Sequence, residues 1–388
     1  MSNLLKPVRP LQRYLRRPVS ADLARKMVFV GGPRQVGKTT FALGLLGPRA
    51  DESHPAYQSW DSTQDRERLL AGELPPGQPL VLLDEIHKFA RWRNLLKGFY
   101  DKHKSGVSFL VTGSARLDYY RKGGDSLQGR YHYYRLHPLS LAEVDAEMRP
   151  SSLEHLMRYG GFPEPFLRGD DREWRRWLRE LRERVVHEDL RDLERVREVS
   201  LIDLLLHHLP ACVGSPLSVK SLSSLLQVAH ESVESWISVL ERLYVCFRIA
   251  PFGGPRIRAV KKEKKLYLWD WSQVPEPGPR FENLVACQLL KYCHWQEDVE
   301  GRSMELRYLR DTDKREIDFV VLREGKPEFA VECKTGESAP SSAARYFRAR
   351  TPIASFYQTH RGRKDFGHAA TDVRVLPFTS LCRELGLP

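Results

Sequence analysis

Apolar residues fall along this chain in two rhythms. Short, near-continuous runs (Met27-Val28-Phe29-Val30, Leu80-Val81-Leu82-Leu83 and Val107-Ser108-Phe109-Leu110-Val111) have the character of strands buried on both faces. Ala56 to Asp61 and Tyr131 to Leu136 read as further strands, and residues 1–26 as a lead-in helix. Between the runs lie helical patterns: Thr40 to Leu46, and Arg91 to Lys104 with Trp92, Leu95, Leu96, Phe99 and Tyr100 on one side. Such alternation predicts a parallel sheet covered by helices, with ligand bound at the carboxyl ends of the strands.

Beyond residue 148 the pattern changes. Asp170 to Glu198 interleaves both charge signs at helical spacing, as in a solvated, ion-paired helix. Ser218 to Leu226 and Glu231 to Tyr244 are two helices joined by Val228-Ala229-His230. The second turns Val233, Trp236, Ile237, Leu240, Leu243 and Tyr244 inward, and strand-like Val245 to Ala250 follows, which predicts a winged helix-turn-helix. Its outer face carries Glu231, Glu234, Ser235, Ser238 and Glu241, which would repel phosphates, so a packing or protein-contact module fits as well as base reading does. From Phe281 a helix runs to about Trp295, then strands at 305–310, 315–322 and 328–334 separated by polar turns. The expected domains are 1–148, 149–270 and 271–388.

Chemistry enters at the end of the first strand. Gly32-Pro33-Arg34-Gln35-Val36-Gly37-Lys38-Thr39, with Thr40 behind it, is a Gly-x4-Gly-Lys-Thr loop between strand and helix. Its glycines let successive N–H groups point inward to cradle phosphates, and the helix that follows adds the positive end of its dipole. Lys38 is placed for the β- and γ-phosphates and Thr39 for Mg²⁺. The buried run 80–83 ends in Asp84-Glu85, a Walker B pair: Asp84 to hold Mg²⁺, Glu85 to orient and deprotonate water. After strand 107–111, Thr112, with Ser114 next, is placed to reach the γ-phosphate or the attacking water. Arg130, beside Gly129 where a last strand begins, could reach a neighbouring subunit's phosphate, a role worth roughly 10³–10⁵ in rate; Arg116 is a weaker candidate.

These motifs, together with Leu127-Gln128-Gly129-Arg130, Pro138-Leu139-Ser140 and Tyr159-Gly160-Gly161-Phe162-Pro163, resemble prokaryotic AAA-type P-loop ATPases that carry a C-terminal region called domain of unknown function 4143. The resemblance covers nearly the whole chain. It implies an AAA-type parallel-sheet domain, ATP and Mg²⁺ as cofactors, and a homo-oligomer.

In the last domain, Glu316-Ile317-Asp318 and Glu332-Cys333-Lys334 lie on adjoining strands, so Asp318, Glu332 and Lys334 can share a face. Asp318 and Glu332 could hold Mg²⁺, Lys334 could stabilise phosphorane charge, and Glu282 could add a carboxylate. This order resembles the PD-(D/E)xK nuclease core, a restriction-endonuclease-like α/β domain, with Ile317-Asp318 in place of Pro-Asp. Acid–lysine pairs on a half-buried sheet also form satisfied ion clusters, and both readings stay open.

Hydrophobic content of 41% and charge of 29% fit a globular chain. The net charge of +12 points to an anionic partner, nucleic acid and DNA first. The run Arg256, Arg258, Lys261, Lys262, Lys264 and Lys265 is the best phosphate-contacting candidate. Arg345, Arg348, Arg350, Arg361, Arg363 and Lys364 make the tail basic, and Tyr346, Phe347, Phe356 and Tyr357 near them could stack on bases or fill the core. Six scattered cysteines without C-x-x-C pairing suggest reduced thiols in a cytoplasm. Residues 1–17 are basic without an apolar core, and no run approaches the ~18 apolar residues of a membrane span. The expected function is ATP hydrolysis coupled to moving, gripping or cutting DNA; the alternative is a nucleotide-controlled switch or scaffold, in signalling or defence, with an inactive nuclease-like domain.

Overall fold

The computed structural model describes residues 11–113, 127–186, 198–253 and 263–388. They fall into two compact units, one within Arg9–Pro138 and one within Leu139–Pro388. Ser114, Arg116, Arg256, Arg258, Lys261 and Lys262 lie outside the described residues.

The first unit alternates α1 (Arg16–Leu23), β1 (Met27–Gly31), α2 (Lys38–Leu46), β2 (Tyr57–Ser59), α3 (Thr63–Leu70), β3 (Leu80–Asp84), α4 (Trp92–His103), β4 (Ser108–Thr112) and β5 (Tyr131–Arg135). Its five-stranded sheet has the order β2-β3-β4-β1-β5, with every pairing parallel. β1, β4 and β3 are therefore contiguous, and the register pairs Val30 with Thr112 and Thr112 with Asp84. Three motifs far apart in sequence end at one edge. Beneath them pack Phe29, Trp60, Leu83, Trp92, Leu96, Phe99 and Phe109. Burying each such side chain contributes about 1.5–3 kcal/mol. Of the lead-in helix expected over 1–26, residues 1–10 lie outside the described residues and the helix covers Arg16–Leu23; the strand expected over 56–61 covers Tyr57–Ser59, and Asp61 beyond it pairs with Lys88 (2.6 Å).

The second unit begins with α5 (Leu141–Val144), α6 (Pro150–Tyr159), α7 (Pro163–Arg168) and α8 (Asp171–Arg184). Gly160 joins α6 to α7 at φ 77°, and a Cβ there would meet Asp270 Oδ1 at 2.4 Å, so the Gly-Gly-x-Pro element fits a close approach that only glycine allows. α8 has the ion-paired surface its sequence predicts, with Arg168 and Arg176 on Glu173 (2.9 and 3.3 Å). Then come α9 (Val199–His208), α10 (Val219–Leu226), α11 (His230–Arg242), β6 (Cys246–Pro251), β7 (Lys265–Leu268), α12 (Pro277–Glu300), β8 (Met304–Arg310), β9 (Glu316–Arg323), β10 (Lys326–Cys333), α13 (Ser342–Arg348), β11 (Ser355–His360), β12 (Val373–Pro377) and α14 (Phe378–Leu385). Val233, Trp236, Ile237 and Leu240 of α11 are buried as predicted. Two glutamates on its outer face, Glu234 and Glu241, hold Arg248 of β6 at 2.6 and 2.7 Å.

One seven-stranded sheet runs β12-β11-β10-β9-β8-β6-β7. β8, β9 and β10 are antiparallel neighbours, while β11 and β12 continue parallel to β10. β6 and β7, from before the division expected at 270, are the edge of this sheet. β6 leaves β7 after Ile249 and pairs with β8 through Ala250 and Pro251. α12 opens with Pro277 in its first turn, ends at Gly301 (φ 68°), and buries Phe281, Leu284, Val285 and Leu289.

Candidate functional site

The loop after β1 has the backbone its sequence demands. Gly32 stands at φ 141° and Gly37 at 92°, and a Cβ on Gly32 would strike Leu136 O at 2.3 Å. Gln35, at φ 58°, is held left-handed although it is not glycine, and its Oε1 is buried without a hydrogen-bond partner. Lys38, 8% exposed, folds back so that Nζ donates to Gly32 O (3.1 Å) and Pro33 O (2.7 Å).

Three hydroxyls converge on Asp84. Thr39 and Tyr57 donate to its Oδ2, both at 2.9 Å, and Thr112 donates to Oδ1 at 2.5 Å. Asp84 and Thr112 are buried. Glu85 takes φ 56°, and its N–H bonds Thr112 O (3.0 Å), extending the β3–β4 pairing one residue past the strand. Burial, then the charge of Asp84, raises the Glu85 pKa above the ordinary glutamate value; Lys38, Lys88 and Arg34 draw it back.

Lys38, Thr39, Asp84, Glu85 and Thr112 thus stand at one sheet edge. The residues fit a nucleotide with Mg²⁺: a left-handed glycine loop, an ammonium resting on neutral carbonyls, and a threonine hydroxyl already joined to a buried carboxylate. Thr112 differs from its expected role in that its hydroxyl is committed to Asp84. Arg130 is not brought here. It precedes β5 at the amino edge of the sheet, where its backbone carbonyl bonds Met27 N (3.1 Å) and its guanidinium holds Asp101 (3.1 Å).

Two contributors escaped the motif reading. Tyr57 is the third donor to Asp84. Arg13 is buried and spans Val36 O (2.8 Å) and His137 O, tying the segment before α1 to the glycine loop.

A second constellation lies in the other unit. β9 and β10 pair Phe319 with Val331, so Asp318 and Glu332 adjoin one step further on. Lys334 holds Glu332 Oε1 at 2.7 Å, and Asp318 Oδ2 accepts from Cys333 N at 2.8 Å. The unexpected member is Lys265. Expected in a phosphate-contacting run, it is completely buried, with Nζ 2.6 Å from Glu316, 3.0 Å from Glu282 and 3.4 Å from Asp318. Burial alone would lower its pKa, but Asp318, Glu282 and Glu316 together raise it. Tyr267, two residues on and on the same strand face, donates to Glu282 (2.7 Å). Burial, then the charge of Asp318, raises the pKa of both Glu282 and Glu332.

The carboxylates predicted to hold Mg²⁺ do come together, but they do not fit a metal. Their oxygens accept from Lys265, Lys334, Tyr267 and Cys333 N, while Glu332 Oε2 is a buried oxygen without a partner. Among the described residues no group of three or more His, Cys, Asp or Glu could hold a metal ion. Phe347, Phe356 and Tyr357 are buried core residues, and Tyr346 lies between the guanidiniums of Arg315 and Arg350 (4.2 and 4.1 Å).

Residues 24–145 match the family model described as an AAA domain. The chain carries an AAA domain. Residues 150–274 and 277–381 match two domains of unknown function, DUF8612 and DUF4143. An uncharacterized protein of Mycobacterium tuberculosis, Rv2008c, is 25% identical over 337 residues, 80% of this chain and 72% of that one. The uncharacterized protein MJ1544 of Methanocaldococcus jannaschii is 23% identical over 63% of this chain and 59% of its own. Among solved structures, Aeropyrum pernix Orc1 in complex with DNA aligns at 15% identity and TM-score 0.33, covering 73% of this chain and 95% of that one. The Thermotoga maritima RuvB Holliday junction branch migration motor aligns at 17% and 0.30, over 60% and 87%. No helix among the described residues is long and apolar enough to cross a membrane.

Proposed function

We propose that the AAA domain binds ATP with Mg²⁺ and hydrolyses it, and that the chain uses this cycle on DNA without cutting it. The observation that carries the hydrolytic part is the convergence of Thr39, Tyr57 and Thr112 on Asp84, next to Lys38 and Glu85. The loop from Gly32 to Thr40 would wrap the phosphates with backbone N–H groups, and Lys38 would exchange two loop carbonyls for phosphate oxygens. Mg²⁺ held by Thr39 and Asp84 would supply charge neutralisation on the phosphates. Glu85, with its raised pKa, would take the proton of the attacking water. Thr112 and Tyr57 fix the Asp84 carboxylate from either side.

DNA is supported by the net charge of +12. The helix pair α10 and α11 would be a packing or protein-contact element in this reading, since Glu234 and Glu241 are engaged by Arg248. Assembly into a homo-oligomer and a trans role for Arg130 belong to the same proposal, as does a cytoplasmic setting, in which the six free thiols would stay reduced. The lysine-filled carboxylate cluster favours a second reading of the C-terminal region, a nucleotide-controlled scaffold. The deciding measurement is phosphate release with and without duplex or single-stranded DNA, with Glu85→Gln as the blank. A several-fold rise with DNA supports action on DNA; a flat response leaves only the scaffold.

A further inference from the structure

We infer that Lys265 stands in for the divalent cation of the C-terminal carboxylate cluster and closes it to metal, independently of what the AAA domain does. Its ammonium is completely buried and within 3.4 Å of three carboxylates from two elements: Glu282 of α12, and Glu316 and Asp318 of β9. The ring of Tyr308 lies 5.7 Å away on a further side, and Tyr267 supplies an additional donor to Glu282. Arg310 holds the other oxygen of Glu316 at 2.7 Å. Around the cluster, Glu282, Glu316, Asp318 and Glu332 face Lys265, Arg310 and Lys334, so four acids meet three bases.

A divalent ion entering this arrangement would have to displace a completely buried ammonium from three carboxylates at once. Mg²⁺ demands near-octahedral oxygen ligands and usually keeps several waters. The buried oxygen without a partner, Glu332 Oε2, is a single ligand and cannot meet that demand. Lys265 also pins β7, α12 and β9 together, which a bound metal would otherwise do. The cluster is therefore a structural ion lattice with its cation built into the chain.

The test is Mn²⁺ binding to the full-length, nucleotide-free protein, followed by electron paramagnetic resonance in an Asp84→Asn background that removes the nucleotide-site carboxylate. The expected result is no bound Mn²⁺ that depends on Asp318. Lys265→Met should then create a site, tightening Mn²⁺ binding by at least about 10- to 100-fold, on the scale by which neighbouring groups tune metal affinity. Adding Asp318→Asn should remove that site again. Should Lys265→Met fail to fold, Lys265→Met with Glu282→Gln removes one charge of each sign and answers the same question. Mn²⁺ binding in the Asp84→Asn protein that Asp318→Asn abolishes would overturn the inference. So would a folded Lys265→Met protein, or its Glu282→Gln partner variant, that gains no site.

Discussion

Replacing Thr112 by valine tests whether the hydroxyls on Asp84 do what their geometry implies. The two side chains are nearly isosteric, and Thr112 is 1% exposed, so the substitution deletes one donor and little else. The lost bond is the 2.5 Å contact to Oδ1, the Asp84 oxygen opposite the one served by Thr39 and Tyr57. Hydrogen bonds to charged groups contribute about 1.5–3 kcal/mol. With tenfold in rate for each ~1.4 kcal/mol, an orientation needed in the transition state predicts a fall of roughly ten- to hundredfold in kcat/KM for ATP hydrolysis. Thr112→Ser keeps the donor and should retain most of the rate. The assay is steady-state phosphate release at saturating Mg²⁺, with nucleotide affinity measured separately by fluorescence. Equal turnover of Thr112→Val and the parent protein would refute the positioning role. A Thr112→Ser protein as slow as the valine variant would mean that packing of the methyl group, and not the hydroxyl, is what matters.

Lys38→Ala should abolish tight ATP binding, and a calorimetric affinity equal to the parent's would contradict the assignment of the loop. The acid limb of the kcat profile should lie above the ordinary glutamate pKa: Glu85 must be ionised to accept a proton, and burial and Asp84 raise its pKa, so activity is lost as pH falls through that raised value. A limb at or below the ordinary value would exclude Glu85 as the base. Arg130→Ala should leave the nucleotide affinity of the isolated chain unchanged, since Arg130 sits with Asp101 at the sheet edge away from the glycine loop; loss of binding would place it in the site after all. Lys291→Met should destabilise the second unit by up to about 3–5 kcal/mol in urea unfolding, because it removes the cation of a buried ion pair whose carboxylate, Glu143, keeps the hydrogen bonds from Ser140 N and Oγ. Adding Glu143→Gln should restore part of that loss, and full additivity of the two changes would show that the residues do not interact.

The candidate nucleotide site was legible because its constraints are local. A strand, a loop needing left-handed backbone, and a lysine and threonine opening a helix occupy consecutive positions, and Asp84 closes a run too apolar to be anything but a buried strand. Tyr57 and Arg13 were illegible for the opposite reason. They reach Asp84 and the glycine loop across 27 and 23 residues, through a short strand and a segment with no periodicity of their own. The boundary expected at 270 follows a change of pattern in the sequence, whereas the pairing of β6, before it, with β8, after it, is a long-range event with no sequence marker.

Lys265 shows how one residue type carries opposite meanings. Read as composition, it is the last member of a basic run. Read as a strand, it shares a face with Tyr267, and that alternation was the available sign that it points inward. Its contrast with Lys38 is one of partners. Lys38 rests on the carbonyls of Gly32 and Pro33, so a phosphate replaces neutral acceptors with anionic ones and gains. Lys265 rests on three carboxylates. Drawing it toward a phosphate, or yielding its place to Mg²⁺, would leave buried charge unpaired, a loss of about 3–5 kcal/mol when one partner of a buried pair is removed. The first lysine is therefore poised to bind and the second is already bound. On this account the acid–lysine signature of the C-terminal region, which in sequence left catalysis and a satisfied ion cluster both open, describes a site whose cation is a side chain.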